Sequence, residues 1–289
     1  MKKNFLPVLF LSALAAPFSV NADAASDCDY RGLYLGLSAG VTHNLGKFAA
    51  DVPVNFNSND GNLNNNIVTT NGRTRVGQVR ELGGIAVGYS WLCDRIYIGA
   101  ELGGYYAPTD LKINPNTIIL STNSGSGGSN STASLGTSVK ASLRKWEWTA
   151  DVTPGVLFCD TFLVFGRVGI GFNRTRLQGD SALTSVSSDQ TNNPNVSVPL
   201  SASTNQIRAS WRLGLGLSNY ISDNLVLTVN YVYTNYGKVT LTGNSLVAIP
   251  LGGGMSGTTN ALLNTTVSTR VQRHAVLIGL NYYFNALFN

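Results

Sequence analysis

Few side chains in this sequence belong to types that do chemistry, and their spacing limits what each could do. The only imidazoles are His43 and His274. As a catalytic base or a heme-ligand pair they would need a partner. Neither has a Ser or carboxylate on the same face of an extended segment, as an acyl hydrolase built on strands would want. The better reading is a pair of amphipathic rings at the headgroup level of a membrane, so no catalytic residue is assigned and the chain is not read as an enzyme. Gly252-Gly253-Gly254 and the Gly/Ser run over 124–131 have neither a strand-to-helix context nor a following Lys. They read as loop tips and not as phosphate cradles.

Three cysteines, Cys28, Cys93 and Cys159, each stand directly before an Asp. No His or CxxC lies nearby, so neither a metal nor any other cofactor is expected. If two of them pair, one thiol is left over. In an oxidising compartment a disulfide within or between chains is the favoured expectation, with three free thiols as the alternative.

The charged residues carry more information. Glu101, Asp151, Arg167 and Arg212 share a phase with Gly, Ser and Thr, opposite an apolar phase, and sit at similar distances from short turns. Arg80, Lys145, Glu147, Arg208 and Arg273 stand further from those turns, towards what would be an outer mouth. A charge facing lipid at mid-membrane costs roughly 2–4 kcal/mol for Arg or Lys. The first four are therefore expected to point into a lumen and to pair there, with a selective pore lining as the competing view.

The elements that must position these residues alternate with a period of two. In 273–284, His274, Val276, Ile278, Leu280, Tyr282 and Phe284 face one way, and Ala275, Gly279 and Asn281 the other. Similar segments occupy 33–45, 76–91, 96–106, 144–158, 161–172, 206–220 and 225–236, so eight strands are expected. Long polar stretches, 46–75, 107–143, 173–205 and 237–269, alternate with short turns. The turns recur as Cys28-Asp29, Cys93-Asp94, Cys159-Asp160 and Ser222-Asp223, at spacings of 65, 66 and 63 residues. Such a repeat places every long loop at one end and every short turn at the other.

The aromatic-terminated closing segment, with Tyr282, Phe284 and Phe288, resembles the last strand of small bacterial outer-membrane β-barrels. The whole pattern is similar to the OmpA-like transmembrane barrels and to porin-like and heme-binding surface proteins of that size. The resemblance implies an all-β, eight-stranded antiparallel up-and-down transmembrane barrel with four long extracellular loops and short periplasmic turns. It also implies an assembly signal in Tyr282, Phe284 or Phe288 read by the barrel-assembly machinery, and surroundings of outer-membrane lipid and lipopolysaccharide.

The chain's N-terminal stretch agrees with export. Lys2 and Lys3 precede an apolar run, and Ala22-Asp23-Ala24 forms an A-x-A site, so 1–24 reads as a signal peptide and 25–289 as the barrel. Without Lys2, Lys3 and Asp23 the balance is 18 basic to 14 acidic residues, too small an excess to argue for nucleic acid. A soluble exported barrel would also alternate. Against it, the less apolar phase is small and polar instead of rich in Lys and Glu, and aromatics such as Trp91, Trp146, Trp211, Tyr231 and Tyr233 lie towards the ends of the apolar phase. The expected function is a surface protein of the Gram-negative outer membrane. Its barrel would be an anchor and its loops a contact surface for host or ligand, with a small diffusion channel as the alternative. Oligomeric state is not legible.

Overall fold

In the computed structural model, the described residues are 30–57, 68–122, 131–158, 161–187, 197–250 and 258–284. They form ten antiparallel strands: β1 (Gly32–Asn57), β2 (Val68–Cys93), β3 (Ile96–Tyr106), β4 (Thr109–Thr122), β5 (Ser131–Leu143), β6 (Trp146–Phe158), β7 (Phe162–Ser187), β8 (Ser197–Ser222), β9 (Leu225–Pro250) and β10 (Thr258–Tyr283). Eight of them close a ring, β1-β2-β3-β6-β7-β8-β9-β10, with β10 pairing back onto β1. The expected eight-stranded barrel is present, with tight turns at Asp94-Arg95 and Asp223-Asn224.

The ladders fix how the ring is sheared. Starting from Tyr34 on β1, successive partners are Gly88, Glu101, Asp151, Gly169, Arg212, Thr234, Arg273 and then Asn44, again on β1. The row returns ten residues from where it began, a shear of ten for eight strands. Strand tilt and stagger are linked in this way in any closed barrel, and eight strands leave an interior just wide enough for side chains to fill.

Much of what reads as long loop in the sequence is paired strand. The β1–β2 ladder runs up to Val54↔Val68, and β9–β10 up to Pro250↔Thr258. Stretch 107–143 holds the β4–β5 hairpin. There β5 takes over from β6 as the neighbour of β7, while β4 meets β2 through Asp110 N–H donating to Gln78 Oε1 at 3.2 Å. The break between β3 and β4 falls at Pro108, which has no N–H to give to a ladder.

Along these taller strands the polarity of the two faces changes over. Low on β10, Ile278, Leu280 and Tyr282 point outward and are exposed; higher up, the outward residue is Arg270, and Val267 and Val271 point inward and are buried. β9 makes the same exchange across a bulge. Asn235 pairs with Gln272 and Lys238 with Arg270, so Tyr236 and Gly237 together face the single Val271. Gly237 has φ of 73°, the left-handed value at which an L side chain is strained. Beyond the bulge, Val239 and Leu241 turn into the interior.

The interior is therefore filled in three layers. At the short-turn end lie Tyr30, Tyr34, Tyr97, Tyr220 and Tyr283 with Leu157, Leu163, Phe165 and Val226. At mid-height lie the charged residues. Above them is an apolar cluster that includes Phe48, Leu111, Val139, Leu177, Tyr236, Leu241 and Val271.

Candidate functional site: the barrel lumen

Glu101, Asp151 and Arg212 are positioned by the sheared row, which puts them on three strands with the same inward phase. Arg167 stands two residues below Gly169 on β7 and so shares their face. Glu101 and Asp151 are directly opposed on β3 and β6. Like charges so placed repel, so a cation between them is needed.

Arg167 is that cation. Its Nη1 lies 2.5 Å from Glu101 Oε1 and 2.8 Å from Asp151 Oδ2, and its Nη2 donates to Glu101 Oε2 at 3.2 Å. Arg212 Nη1 approaches the same Asp151 Oδ2 at 3.6 Å, and its guanidinium lies over the Tyr105 ring at 5.2 Å. Tyr34 Oη donates to Glu101 Oε2 at 3.1 Å and Tyr105 Oη to Glu101 Oε1 at 3.4 Å. All four charged side chains are buried, none more than 6% exposed.

A second pair lies above. Arg273 Nη1 bonds Glu147 Oε2, which also accepts from Tyr236 Oη at 2.7 Å. Arg273 Nε donates to Asn44 Oδ1 at 3.0 Å, and its Nη2 to Thr109 Oγ1 at 3.2 Å and to the Ala107 carbonyl at 3.3 Å. The arginine thus ties β10 to β1, to β6 and to the start of β4.

Glu147 and Arg273, expected higher than the first four and nearer the outer mouth, lie inside the barrel. Each is only 3% exposed. The strands continue beyond that level and enclose it, so the pair becomes interior. Arg80 and Lys145 are exposed, and Arg208 is half-buried, with Nη2 donating to Gln206 Oε1 at 2.6 Å. These three do not join either cluster.

The glycines of the inward face make room for the network. A Cβ on Gly169 would lie 1.9 Å from Asp151 Oδ1 and 2.4 Å from the Ala150 carbonyl oxygen, and one on Gly88 would lie 2.3 Å from Tyr34 Cζ. A small cavity remains beside the cluster, about 30 Å³, bordered by Tyr34, Glu101, Thr153, Arg167 and Asn230. That is space for one or two waters. Among the described residues, Asp151 Oδ1, Thr153 Oγ1, Arg212 Nε and Asn230 Oδ1 have no protein hydrogen-bond partner.

The tyrosine layer carries no signal in the sequence beyond its inward phase. Tyr30 packs at a tilt against Tyr220, 4.4 Å between ring centres, and meets Tyr97 and Tyr283 edge-on, both at 6.1 Å. Tyr30 Oη donates to the Thr161 carbonyl at 2.8 Å. The histidines face outward and are cross-strand partners, with Tyr231 Oη 2.7 Å from His274 Nδ1. Cys93 is exposed at the short-turn end of β2. Cys28, Cys159, the signal segment 1–24 and Phe288 lie outside the described residues. Tyr282 is exposed on the outer face, and Phe284 is half-buried just past β10.

A closed ring with an apolar outer belt, aromatics near both ends of that belt and its charges turned inward defines a class. The chain is a small β-barrel protein of the Gram-negative outer membrane. It is 26% identical over 280 residues to the 31 kDa outer-membrane immunogenic proteins of Brucella melitensis and Brucella suis, covering 95% of this chain and 90% of theirs. Solved structures similar to it include the outer-membrane protein OprG of Pseudomonas aeruginosa (11% identity, TM-score 0.29, covering 84% of this chain and 96% of that one). The attachment invasion locus protein Ail of Yersinia pestis is another (11% identity, TM-score 0.24, covering 80% and 98%). No family model matches the chain.

Proposed function

We propose that this protein is a surface-displayed anchor: a plugged barrel, exported on the signal segment 1–24, that presents its long hairpins to the medium. The observation that carries this reading is the filled lumen. The Glu101–Arg167–Asp151–Arg212 cluster spans it at mid-height, between a tyrosine layer on one side and an apolar cluster on the other. Buried ion pairs with this geometry are costly to break, since leaving one partner unpaired costs about 3–5 kcal/mol. An open diffusion path would have to break several at once. The hairpins are then the part of the molecule free to meet a host surface, a ligand or another cell. The relatives' description as immunogenic outer-membrane proteins supports display at the surface.

A small channel is the second reading, and one observation favours it: the cavity beside Arg167 with its unpaired polar atoms. Single-channel recording of refolded protein separates the two. The anchor reading expects little or intermittent conductance; a steady, large conductance of the wild-type barrel overturns it. Shortening of the β1–β2 or β9–β10 hairpin should then abolish surface binding while leaving the heat-modified gel shift of the folded barrel intact.

A further inference from the structure

The small net positive charge of this protein is not spread evenly. Arg75, Lys47, Arg270 and Lys238 are partners in successive ladders across β2, β1, β10 and β9. All four are exposed. Their side chains share the outward face, so four cations stand side by side on neighbouring strands about 4.8 Å apart. Like charges directly opposed across a sheet destabilise it unless something between them is negative. Among the described residues no carboxylate lies within salt-bridge distance of any of the four.

The height of the row says what that negative group is. Four residues nearer the short turns, or five on β9 because of its bulge, the same face carries Val79, His43, His274 and Tyr233. Here Gln272 Nε2 donates to Tyr233 Oη at 2.7 Å, and Tyr231 Oη meets His274 Nδ1 at 2.7 Å. Another eight residues down β10 is Tyr282, with exposed Leu280 and Ile278 on the way. Eight residues of tilted strand rise roughly 20 Å, close to the apolar band of about 25 Å of an outer-membrane barrel. The His/Tyr level therefore marks the outer edge of the hydrocarbon. The cationic row stands about 10 Å beyond it, at the depth of lipid headgroups.

We propose that Arg75, Lys47, Arg270 and Lys238 form a docking site for the phosphorylated headgroup of the outer-leaflet glycolipid. The imidazoles and phenols below them meet its sugars and the top of its acyl chains. Arginine and lysine hold phosphate by charge-assisted bonds, in forked pairs where arginine takes part. On the opposite side of the barrel, Arg144, Arg174 and Arg176 are also exposed, but Arg174 and Arg176 follow one another along β7 instead of lining up across a ladder. The proposal depends on the membrane placement of the barrel and is independent of whether its lumen conducts.

The test uses the full-length barrel in detergent, titrated with bis-phosphorylated lipid A, with the same lipid stripped of its phosphates, and with inorganic phosphate. Each base close to an anionic lipid surface contributes roughly a fivefold gain in affinity. Lys47→Gln, Arg75→Gln, Lys238→Gln and Arg270→Gln together should therefore weaken binding of the phosphorylated lipid by about 600-fold. The charge-preserving exchange of Lys for Arg and Arg for Lys at the same positions should retain most of it. These side chains point away from the interior, so the heat-modified gel shift reports that each variant has folded. Equal binding of the two lipids by wild type, or unchanged binding by the glutamine variant, overturns the proposal. So does an equal loss on changing Arg144, Arg174 and Arg176 to Gln, which marks a diffuse collar, or displacement of the lipid by millimolar inorganic phosphate, which marks a free-anion site.

Discussion

Replacing Arg167 by alanine tests the filled-lumen reading most directly. Among the described residues, the guanidinium is the only group that bridges Glu101 and Asp151, at 2.5 and 2.8 Å. Its removal leaves two opposed carboxylates, buried on paired positions of β3 and β6, with Arg212 at 3.6 Å from Asp151 as the remaining cation and none on Glu101. A buried pair broken on one side costs about 3–5 kcal/mol, and Arg212 offsets a part of this on the Asp151 side only. For a domain of this size 1 kcal/mol corresponds to roughly 2–4 °C, so the melting temperature should fall by about 10 °C. Conductance should rise together with that fall, because the same side chain crosses the lumen. A companion variant, Arg167→Met with Glu101→Gln, removes that ion pair while leaving Asp151 with Arg212, and should recover much of the stability, since a buried ion pair is often replaceable by neutral groups of similar volume. The measurements are thermal unfolding in detergent, followed by the gel shift, and single-channel recording. An Arg167→Ala barrel that melts within 2 °C of wild type and conducts as wild type does would refute the reasoning.

Two further outcomes follow from the same structure. Gly169→Ala should lower the melting temperature by several degrees, because the new methyl group meets both the Asp151 carboxylate and the Ala150 carbonyl oxygen, and backbone has no room to yield; an unchanged melting temperature would mean that β6 and β7 are not in this register. With cysteines kept reduced, a membrane-impermeant maleimide should leave Cys93, exposed at the short-turn end, unmodified in intact cells and should label it once the outer membrane is permeabilised; labelling in intact cells would invert the topology.

The strands within the membrane were legible because one solvent condition governs each of their faces. Lipid outside and a narrow polar lumen inside force a strict alternation, and this alternation gives the ring, the short turns and the inward phase of Glu101, Asp151, Arg167 and Arg212. Register along the ring was not legible, since a shear of ten arises from eight ladders together and no single strand encodes it. The pairing of Glu147 with Arg273 depends on that register. The outer halves of the strands were misjudged for a different reason. Beyond the bulge at Gly237 the alternation continues, but Val239, Leu241, Val267 and Val271 turn inward while Lys238 and Arg270 face out. A reading that sought apolar residues only on the lipid side saw polar loop there. The signal that could have found the cationic row was the same one: bases in the outward phase four or five residues beyond the His/Tyr level, as Lys47 stands to His43, Arg270 to His274 and Lys238 to Tyr233.

The joining of β1 to β10 has a consequence for the order of events in the cell. These are the first and last of the ten described strands, and their ladder runs from Tyr34↔Tyr283 to Asn57↔Asn260. Until β10 has emerged, the β1–β10 ladder cannot form, and the nascent sheet carries two long edges able to pair with any other chain. Contacts so distant in sequence form slowly, because the loop must close before the pairing rewards it. Maturation is thus gated by the arrival of β10 beside β1, and a chain that lacks β10 is a hazard to its neighbours as well as an inactive product.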